Sequence, residues 1–222
     1  MLEKVKGIIK KKFKWIVLFI CIITFIAIAE DVFFKNIMMC DNIAYKIIVE
    51  KMRSNFLTNI MKIITNCGSA FTIITISILI SIFVKNKKIG ICIWINTIII
   101  TLLNVLLKNI LQRPRPEGFR LIDESGYSFP SGHSMVSMAF YGLIIYFVFT
   151  NIKNKKIRNV ICTILTILII LIGISRIYLG VHYASDVLAG FLISIGYLIV
   201  FIEVVLKLLK MEGDNRYEKI NK

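Results

Sequence analysis

Long runs of apolar residues that contain almost no charge dominate the chain. A helix that crosses a bilayer needs about 20 such residues to match the hydrocarbon core, and it satisfies its backbone polar groups internally. The pattern predicts six membrane-spanning helices, at Trp15–Ala29, Phe56–Val84, Ile89–Leu107, Ser134–Thr150, Ile157–Ser175 and Val187–Leu206. We therefore expect an all-α protein built as a six-transmembrane-helix bundle.

The first apolar run is open to two interpretations. A lysine-rich segment, an apolar stretch and the small residues Ala27 and Ala29 together resemble a cleavable signal peptide. The stretch 30–46 offers no obvious start for a mature soluble protein, which favours retention as a helix. Both interpretations predict the same orientation for the spans that follow.

The segment between the first two spans has a helical pattern of its own. One side of such a helix carries four apolar residues, Ile43, Ile47, Ile48 and Met52. Asp41 is placed to cap its start, and charged residues occupy much of the remaining surface. The pattern predicts a short helix in the membrane interface, although an ordinary packed loop helix fits it equally well.

The net charge of +15 bears on the partners of the chain. Basic proteins often bind nucleic acid, because lysine and arginine neutralise phosphates. Here the lysines cluster beside the apolar runs, in segments 4–14 and 85–88, as is typical of topology signals and contacts with anionic lipids. We expect the lipid bilayer, and no nucleic acid, as the partner of these charges.

Alternate connections between the spans differ in their lysine and arginine content. The N-terminal segment, the 85–88 loop, the 153–158 loop and the tail from Lys207 carry 18 of these residues, and the opposite connections carry 9. Cytoplasmic connections are the richer ones in membrane proteins. Both termini are therefore predicted to be cytoplasmic, and the connections with fewer lysines and arginines are predicted to lie on the outer face.

The domain organisation follows from the same pattern. We expect a single membrane domain over residues 1–222, with a basic cytoplasmic N-terminus at 1–14 and a cytoplasmic tail at 207–222. The loops 108–133 and 176–186 then lie together on the outer face. The five cysteines show no metal-binding spacing and predict no function.

These two outer loops hold an unusual concentration of polar chemistry. They contain both histidines of the chain, His133 and His182, and three cations that would converge, Lys108, Arg115 and Arg176. Guanidinium groups bind phosphate oxygens in pairs, and an ammonium group adds a point charge. Three cations suit a group with about two negative charges, so the loops predict a phosphate site.

An anion cradle is predicted where Ser131, Gly132 and His133 directly precede an apolar helix. Backbone N–H groups at a helix N-terminus bind anions, and glycine allows the backbone to approach closely. His133, protonated at first, can donate to the departing oxygen and then activate water.

A nucleophile is predicted from the spacing of His182 and Asp186. Residues four apart lie on one face of a helix. A carboxylate bound to one ring nitrogen leaves the other nitrogen free to attack, which predicts a phosphohistidine intermediate. Each feature has an ordinary structural explanation when taken singly, such as a helix-stabilising pair. Their joint occurrence on one face predicts catalysis.

Three motifs in these loops resemble the tripartite signature of the type 2 phosphatidic acid phosphatase superfamily. They are Lys-x6-Arg-Pro from Lys108, Pro-Ser-Gly-His from Pro130, and Ser-Arg-x5-His-x3-Asp from Ser175. The match is complete in residue type and in spacing within each motif. The six-span layout extends the resemblance over nearly the whole chain.

The resemblance implies a metal-independent lipid phosphate phosphatase with no cofactor. The phosphate-binding residues that it implies are Lys108, Arg115, Ser131, Gly132 and Arg176. It makes His133 the acid and base, and His182 the nucleophile, supported by Asp186. The substrate remains open among undecaprenyl pyrophosphate, phosphatidylglycerophosphate and phosphatidic acid, and the oligomeric state is not indicated.

Two other functions compete with hydrolysis. A phosphotransferase would use the same site and pass the phosphoryl group from His182 to a lipid or sugar alcohol. A catalytically silent lipid-binding or transport protein would lack part of the site, whereas His133, His182 and Asp186 are all present. Phosphate release distinguishes these functions.

Overall fold

The computed structural model describes residues 2–34 and 37–209, and within them every regular element is helical. In chain order the elements are α1 (Leu2–Phe33), α2 (Met39–Ala44), a π-helical segment (Tyr45–Lys51), α3 (Asn55–Asn66), α4 (Ala70–Phe83), α5 (Lys87–Leu111), α6 (Gly132–Asn151), α7 (Lys155–Tyr178) and α8 (Ala184–Leu208). The all-α prediction is confirmed.

Five of these helices are long and apolar enough to cross a membrane, namely α1 from Lys12 onward and α5 to α8. The helices α3 and α4 together provide a sixth span if the bent pair is taken as one. Large apolar side chains such as Phe19, Phe71 and Leu102 are exposed on the outer surfaces of these helices. A soluble surface rarely exposes so much apolar area, so these side chains face lipid.

The second predicted span is not one continuous helix. The axes of α3 and α4 differ by 48°, with a break at residues 67–69. Ser69 caps α4 by accepting the N–H of Thr72, and the hydroxyl of Tyr141 donates to the carbonyl of Cys67 at 2.7 Å. Both contacts satisfy backbone groups that an unbroken helix would pair, and they stabilise the bend.

The first helix is longer than the predicted span Trp15–Ala29, since α1 continues to Phe33. It packs along α8 and buries Phe25, Ile28 and Val32 on one side. Lys14, near the start of the spanning part of α1, contacts Glu203 near the end of α8. The helix is therefore an integral part of the bundle.

A short helix does occupy the segment between the first two spans, but Asp41 is not its cap. Met38 holds the N-cap position of α2, and Asp41 lies in the first turn with its side chain buried. Its carboxylate contacts residues of the distant loops instead. The position of α2 in the membrane interface stays a prediction.

Helix α6 lies at the centre of the bundle, against α5, α7 and α8. Buried amide and hydroxyl groups link these helices: Asn96 donates to the carbonyl of Ala139, and Ser194 to that of Met135. Hydrogen bonds of this kind hold membrane helices in a fixed register. The first turn of α6 is thereby fixed beside the ends of its neighbours.

The bundle has two distinct ends. The loops that carry the predicted motifs lie at one end, together with α2. The other end carries the contact of Lys14 with Glu203 and the hydrogen bond from Lys88 to the carbonyl of Leu209. The lysines that begin α5 and the motif residues that end it are therefore separated by the length of the helix.

Arg53, which precedes α3, fastens the two motif loops to each other. Its guanidinium donates to the carbonyl of Phe119 at 2.6 Å and to that of Tyr178 at 2.9 Å. A backbone hydrogen bond of 2.9 Å from Leu121 to Leu179 adds a second link. Gly180 lies beneath this junction with a φ of +74°.

We expect Gly180→Ala to disrupt the junction. A Cβ atom there would lie 2.3 Å from the carbonyl oxygen of Phe119, in addition to the cost of about 1–2 kcal/mol for a left-handed alanine. The matched control is Gly126→Ala, which has a φ of +72° but meets no atom within 4 Å. In Gly180→Ala the melting temperature in detergent and the rate of phosphate release should both fall. Equal behaviour of the two variants would contradict the packing argument.

Candidate active site

The predicted residues meet where four helices end or begin. Lys108 lies in the last turn of α5, His133 in the first turn of α6, Arg176 in the last turn of α7 and Asp186 in the first turn of α8. The loop 112–131 closes over them and contributes Arg115. Residues from three separate motifs thus meet in one cluster, in which Arg115, Arg176 and Asp186 are buried.

The contact between His182 and Asp186 is present, but the reason predicted for it is wrong. His182 lies in the loop before α8, so the two residues do not share a helix face. Asp186 is the third residue of α8, and its Oδ2 accepts the N–H of Tyr183 at 2.8 Å, a contact of the capping-box type. The same oxygen lies 3.4 Å from Nδ1 of His182.

Ser128 joins this pair and was missed by the sequence reasoning. Its hydroxyl lies 3.2 Å from Nδ1 of His182 and donates to Oδ2 of Asp186. The side chain is fully buried. The one sequence feature that could have pointed to Ser128 is its position two residues before the second motif, which begins at Pro130. The hydroxyl accepts from the ring N–H and passes the interaction on to the carboxylate.

The other ring nitrogen of His182 faces Arg115. The distance from Nη1 of Arg115 to Nε2 is 3.2 Å. A guanidinium can only donate, so Nε2 is the acceptor and the ring proton resides on Nδ1. Burial lowers the pKa of His182 to about 4, although Asp186 opposes that shift. The imidazole is therefore neutral near pH 7, with the lone pair of Nε2 directed at the cations.

Arg176 and Arg115 flank a common anion position. The side chain of Arg176 is buried, its Nη1 donates to Thr65 at 2.7 Å, and its Nη2 contacts Glu124. Glu124 also lies 3.8 Å from Arg115. Burial raises the pKa of Glu124, but the charge of Arg176 outweighs it and the net shift is downward. A carboxylate anion thus lies between two cations that the sequence assigned to phosphate.

One nitrogen of Arg176 strengthens this interpretation. Its Nε is buried and makes no hydrogen bond within the described part of the chain. Buried donors without a partner are uncommon, because they lose the hydrogen bonds that water would supply. A phosphate oxygen is a suitable acceptor for such a donor.

Lys108 is held by the loop that closes over the site. Its ammonium group contacts the carbonyl of Tyr127 and lies 3.5 Å from that of Ser128. Helix α5 ends just beyond it, at Leu111, and Gln112 follows in a left-handed conformation with a φ of 44°. The third predicted cation is therefore anchored to the loop that carries Ser128.

Ser131, one residue of the predicted anion cradle, forms hydrogen bonds within the fold. The N–H of Ser131 donates to the carbonyl of Asp186, and its hydroxyl caps α6 by accepting the N–H of Ser134. Gly132 begins α6, and a Cβ there would lie 3.0 Å from the amide oxygen of Asn104. His133 follows, packed beside Gly68 at the break between α3 and α4. Ser131 thus connects α6 to α8.

Arg113 and Asp41 also belong to the cluster, and neither was assigned to it from sequence. Arg113 contacts Asp186 at 2.6 Å and Asp41 at 2.9 Å, and all three side chains are buried. The only signal for Arg113 was its place in the Arg-Pro-Arg-Pro run. Asp41 lies outside every motif, so its contact arises from the fold alone.

A cavity of about 130 Å³ adjoins His182 beside α2. Its lining includes Asp41, Tyr45, Phe119 and Tyr183, but none of the three predicted phosphate-binding cations. It is therefore distinct from the anion position between Arg115 and Arg176. His182 is close to both spaces.

These features define a multi-pass membrane protein with a buried anion site beside a neutral histidine. A family model described as the PAP2 superfamily matches residues 87–210, which is more than half of the chain. The chain belongs to the PAP2 superfamily. The resemblance drawn from the three motifs is confirmed.

Individual relatives agree with this assignment. Phosphatidylglycerophosphatase B of Bacillus subtilis is 44% identical over 105 residues, which are 46% of this chain and 49% of the relative. The match thus spans about half the length of that protein. Undecaprenyl-diphosphatase of Sulfolobus acidocaldarius is 28% identical over 216 residues, 91% of this chain and 97% of the relative.

The fold matches a solved structure over most of its length. The crystal structure of a transmembrane PAP2-type phosphatidylglycerolphosphate phosphatase from Bacillus subtilis superposes with a TM-score of 0.76 at 28% identity. The superposition covers 86% of this chain and 96% of that structure. The predicted membrane fold is confirmed by this match.

Proposed function

We propose that this protein is a PAP2 membrane lipid phosphate phosphatase that works through a phosphohistidine on His182. The observation that carries the proposal is the orientation of that imidazole. Its Nδ1 faces Ser128 and Asp186, while its Nε2 lies 3.2 Å from Arg115 beside an anion position. A neutral ring nitrogen is thus directed at the place where a phosphorus atom would bind.

In the first step, the lone pair of Nε2 forms a bond to phosphorus as the bond from phosphorus to the lipid oxygen breaks. The electron pair leaves with that oxygen, which takes a proton from His133. Burial and the charge of Arg176 lower the pKa of His133 to about 3, and the negative charge of the bound phosphate group raises it so that the ring carries this proton. For a diphosphate substrate, the departing group is the lipid monophosphate. Arg115, Arg176 and Lys108 bind the phosphoryl oxygens as their charge develops.

In the second step, water attacks the phosphohistidine and gives a proton to His133. The bond between nitrogen and phosphorus breaks, inorganic phosphate departs, and His182 returns to its neutral form. During both steps the imidazole carries positive charge while phosphorus is bound. Asp186, reached directly and through Ser128, stabilises that charge.

The substrate is proposed to be undecaprenyl pyrophosphate, phosphatidylglycerophosphate or phosphatidic acid. The support is the similarity to relatives named phosphatidylglycerophosphatase B and undecaprenyl-diphosphatase. Phosphate release from each lipid by the purified protein in detergent is the direct test. Rapid release from one of them is expected. Transfer to an added lipid alcohol with no free phosphate would favour the phosphotransferase, and no reaction with any lipid would contradict the proposal.

We expect the activity to survive EDTA and to be inhibited by vanadate. The cations Lys108, Arg115 and Arg176 supply the positive charge that a metal would otherwise provide. Five-coordinate vanadate resembles the transition state of phosphoryl transfer, so it should bind more tightly than phosphate. Phosphate release is measured with each reagent. Complete loss in EDTA that magnesium restores would point to a different mechanism.

A further inference from the structure

Arg113 connects two carboxylates from opposite ends of the sequence. Its Nη1 lies 2.6 Å from Oδ1 of Asp186, and its Nη2 lies 2.9 Å from Oδ2 of Asp41. The guanidinium also stacks 4.0 Å from the ring of Tyr183. We call Asp41, Arg113 and Asp186 the Arg113 cluster. It joins α2, the loop after α5 and the start of α8.

The cluster divides the two oxygens of Asp186 between separate tasks. Oδ1 binds Arg113, whereas Oδ2 accepts from Ser128 and Tyr183 and faces Nδ1 of His182. A carboxylate held at one oxygen by a planar guanidinium cannot rotate without losing that bond. Arg113 therefore directs the second oxygen at the nucleophile.

Both carboxylate oxygens of Asp41 bind Ser185, in the first turn of α8. Its Oδ1 accepts the N–H of Ser185, and its Oδ2 accepts the hydroxyl of Ser185 and Arg113, at 2.8 to 2.9 Å. A carboxylate from α2 thus binds the N-terminus of α8, where negative charge is favoured.

The charges of the cluster sum to a single negative charge. Arg113 alone would offset the charge of Asp186, and the imidazole would then gain little from it when phosphorylation makes the ring cationic. The second carboxylate shares the guanidinium and leaves one negative charge next to His182. Burial strengthens this effect, because few dipoles of water remain to screen it.

We propose that Arg113 and Asp41 are positioning residues for the nucleophile: Arg113 aims Asp186 at His182, and Asp41 preserves the negative charge of the cluster. This inference rests on the proposed phosphohistidine. Arg113 and Asp41 act through Asp186 and belong to no part of the anion position. Their effect is therefore on the formation of the phosphoenzyme and not on the binding of phosphate.

A charge series tests the proposal. Asp41→Asn brings the cluster to neutrality, and we expect phosphoenzyme formation to slow about tenfold, the order expected for one nearby unit charge inside a protein. Arg113→Gln leaves two negative charges without a shared cation, which should misalign Asp186. The double variant restores the single negative charge. It is expected to form phosphoenzyme faster than Asp41→Asn alone, although more slowly than the native protein.

The order of these rates separates positioning from mere stability. Two buried hydrogen-bonding partners that only stabilise the fold would leave the double variant no faster than either single variant. Rates are measured by rapid mixing with labelled substrate and an alkaline quench. The inhibition constant of inorganic phosphate should stay within about threefold of the native value in all variants, since the anion position is untouched. Glu117→Gln is the control and should match the native protein. Glu117 lines the cavity beside His182 and α2 but lies outside the Arg113 cluster.

Each outcome decides a different question. A native protein that forms no phosphoenzyme would refute the proposed function itself. A native protein that forms it, with a double variant no faster than Asp41→Asn, would overturn only the positioning role. Arg113→Lys retains the charge and is the variant best able to fold. If it and the other variants all lose phosphate binding and melt early, the cluster serves stability and the proposal is wrong.

Discussion

Replacing His182 with alanine is expected to abolish phosphate release, with a loss of roughly three orders of magnitude or more. The variant removes the imidazole whose Nε2 faces Arg115 and whose Nδ1 faces the carboxylate of Asp186. No trapped phosphoenzyme should form with any lipid phosphate. Retention of even a tenth of the native rate would show that His182 is not the nucleophile.

His133→Ala is the matched comparison, because it removes the other histidine of the site. A phenol with a low pKa needs no proton to depart, so nitrophenyl phosphate should still phosphorylate His182 in this variant. The second step lacks its base, and phosphoenzyme should accumulate. Asp186→Asn should keep a small residual rate, since an amide oxygen can still orient the ring. Melting in detergent verifies that each variant is folded.

The residues of the proposed site could largely be predicted from sequence, because each lies in a motif with fixed spacing. Lys108 and Arg176 also lie in the last turns of helices whose apolar runs define their ends. Hydrophobic periodicity thus placed the motif residues at one end of the bundle before any contact was known. Their assignment to phosphate remains a prediction until it is measured.

The supporting contacts were not predictable, for a physical reason. Asp41 and Arg113 are 72 residues apart, and their pairing depends on how α2 folds back over the bundle. No local pattern encodes such a contact, since a buried carboxylate and an exposed one look alike in sequence. Asp41 in fact resembled a helix cap.

Two errors in the secondary structure have a similar origin. The break at residues 67–69 depends on Tyr141 from another helix, which an apolar run cannot reveal. The pair His182 and Asp186 was placed on a helix because its spacing allows it, whereas α8 begins only at Ala184. A capping contact brings the two side chains together instead. Spacing of four residues suits both arrangements.

A cysteine at Gly126 is expected to react with a membrane-impermeant maleimide in intact cells, whereas a cysteine at Lys153 should not. Gly126 lies in the loop of the site, and a side chain there meets no atom within 4 Å. Lys153 is exposed in the loop between α6 and α7, at the other end of the bundle. The native cysteines are replaced in both proteins.

Native Cys40 provides a further reporter that needs no new residue. It is exposed in α2. Because α2 binds the start of α8 through Asp41, it lies at the same end of the bundle as the site. A protein that keeps Cys40 alone should react as the Gly126 variant does. Labelling after permeabilisation confirms that the cysteine at Lys153 is reactive.

The expected orientation rests on the difference in lysine and arginine content between the two sides of the membrane, and the contacts of the site make that difference larger. The connections on the side of the site carry 9 lysines and arginines against 18 on the other side. Five of the nine lie in or beside the site: Lys108, Arg113, Arg115, Arg120 and Arg176. Three of these, Arg113, Arg115 and Arg176, are buried against carboxylates. Catalysis and folding account for such residues, and the remaining four leave a stronger asymmetry.

This orientation also determines which lipids can be substrates. A site that opens on the outer face meets lipid phosphates only when they are present in the outer leaflet, and the released phosphate leaves on the same side. In sealed vesicles of known orientation, outward-facing sites should hydrolyse lipid phosphate added from outside, and impermeant vanadate should stop that reaction. Labelling of the Lys153 position in intact cells, with protection at Gly126 and Cys40, would reverse the topology and remove the case for outer-leaflet substrates.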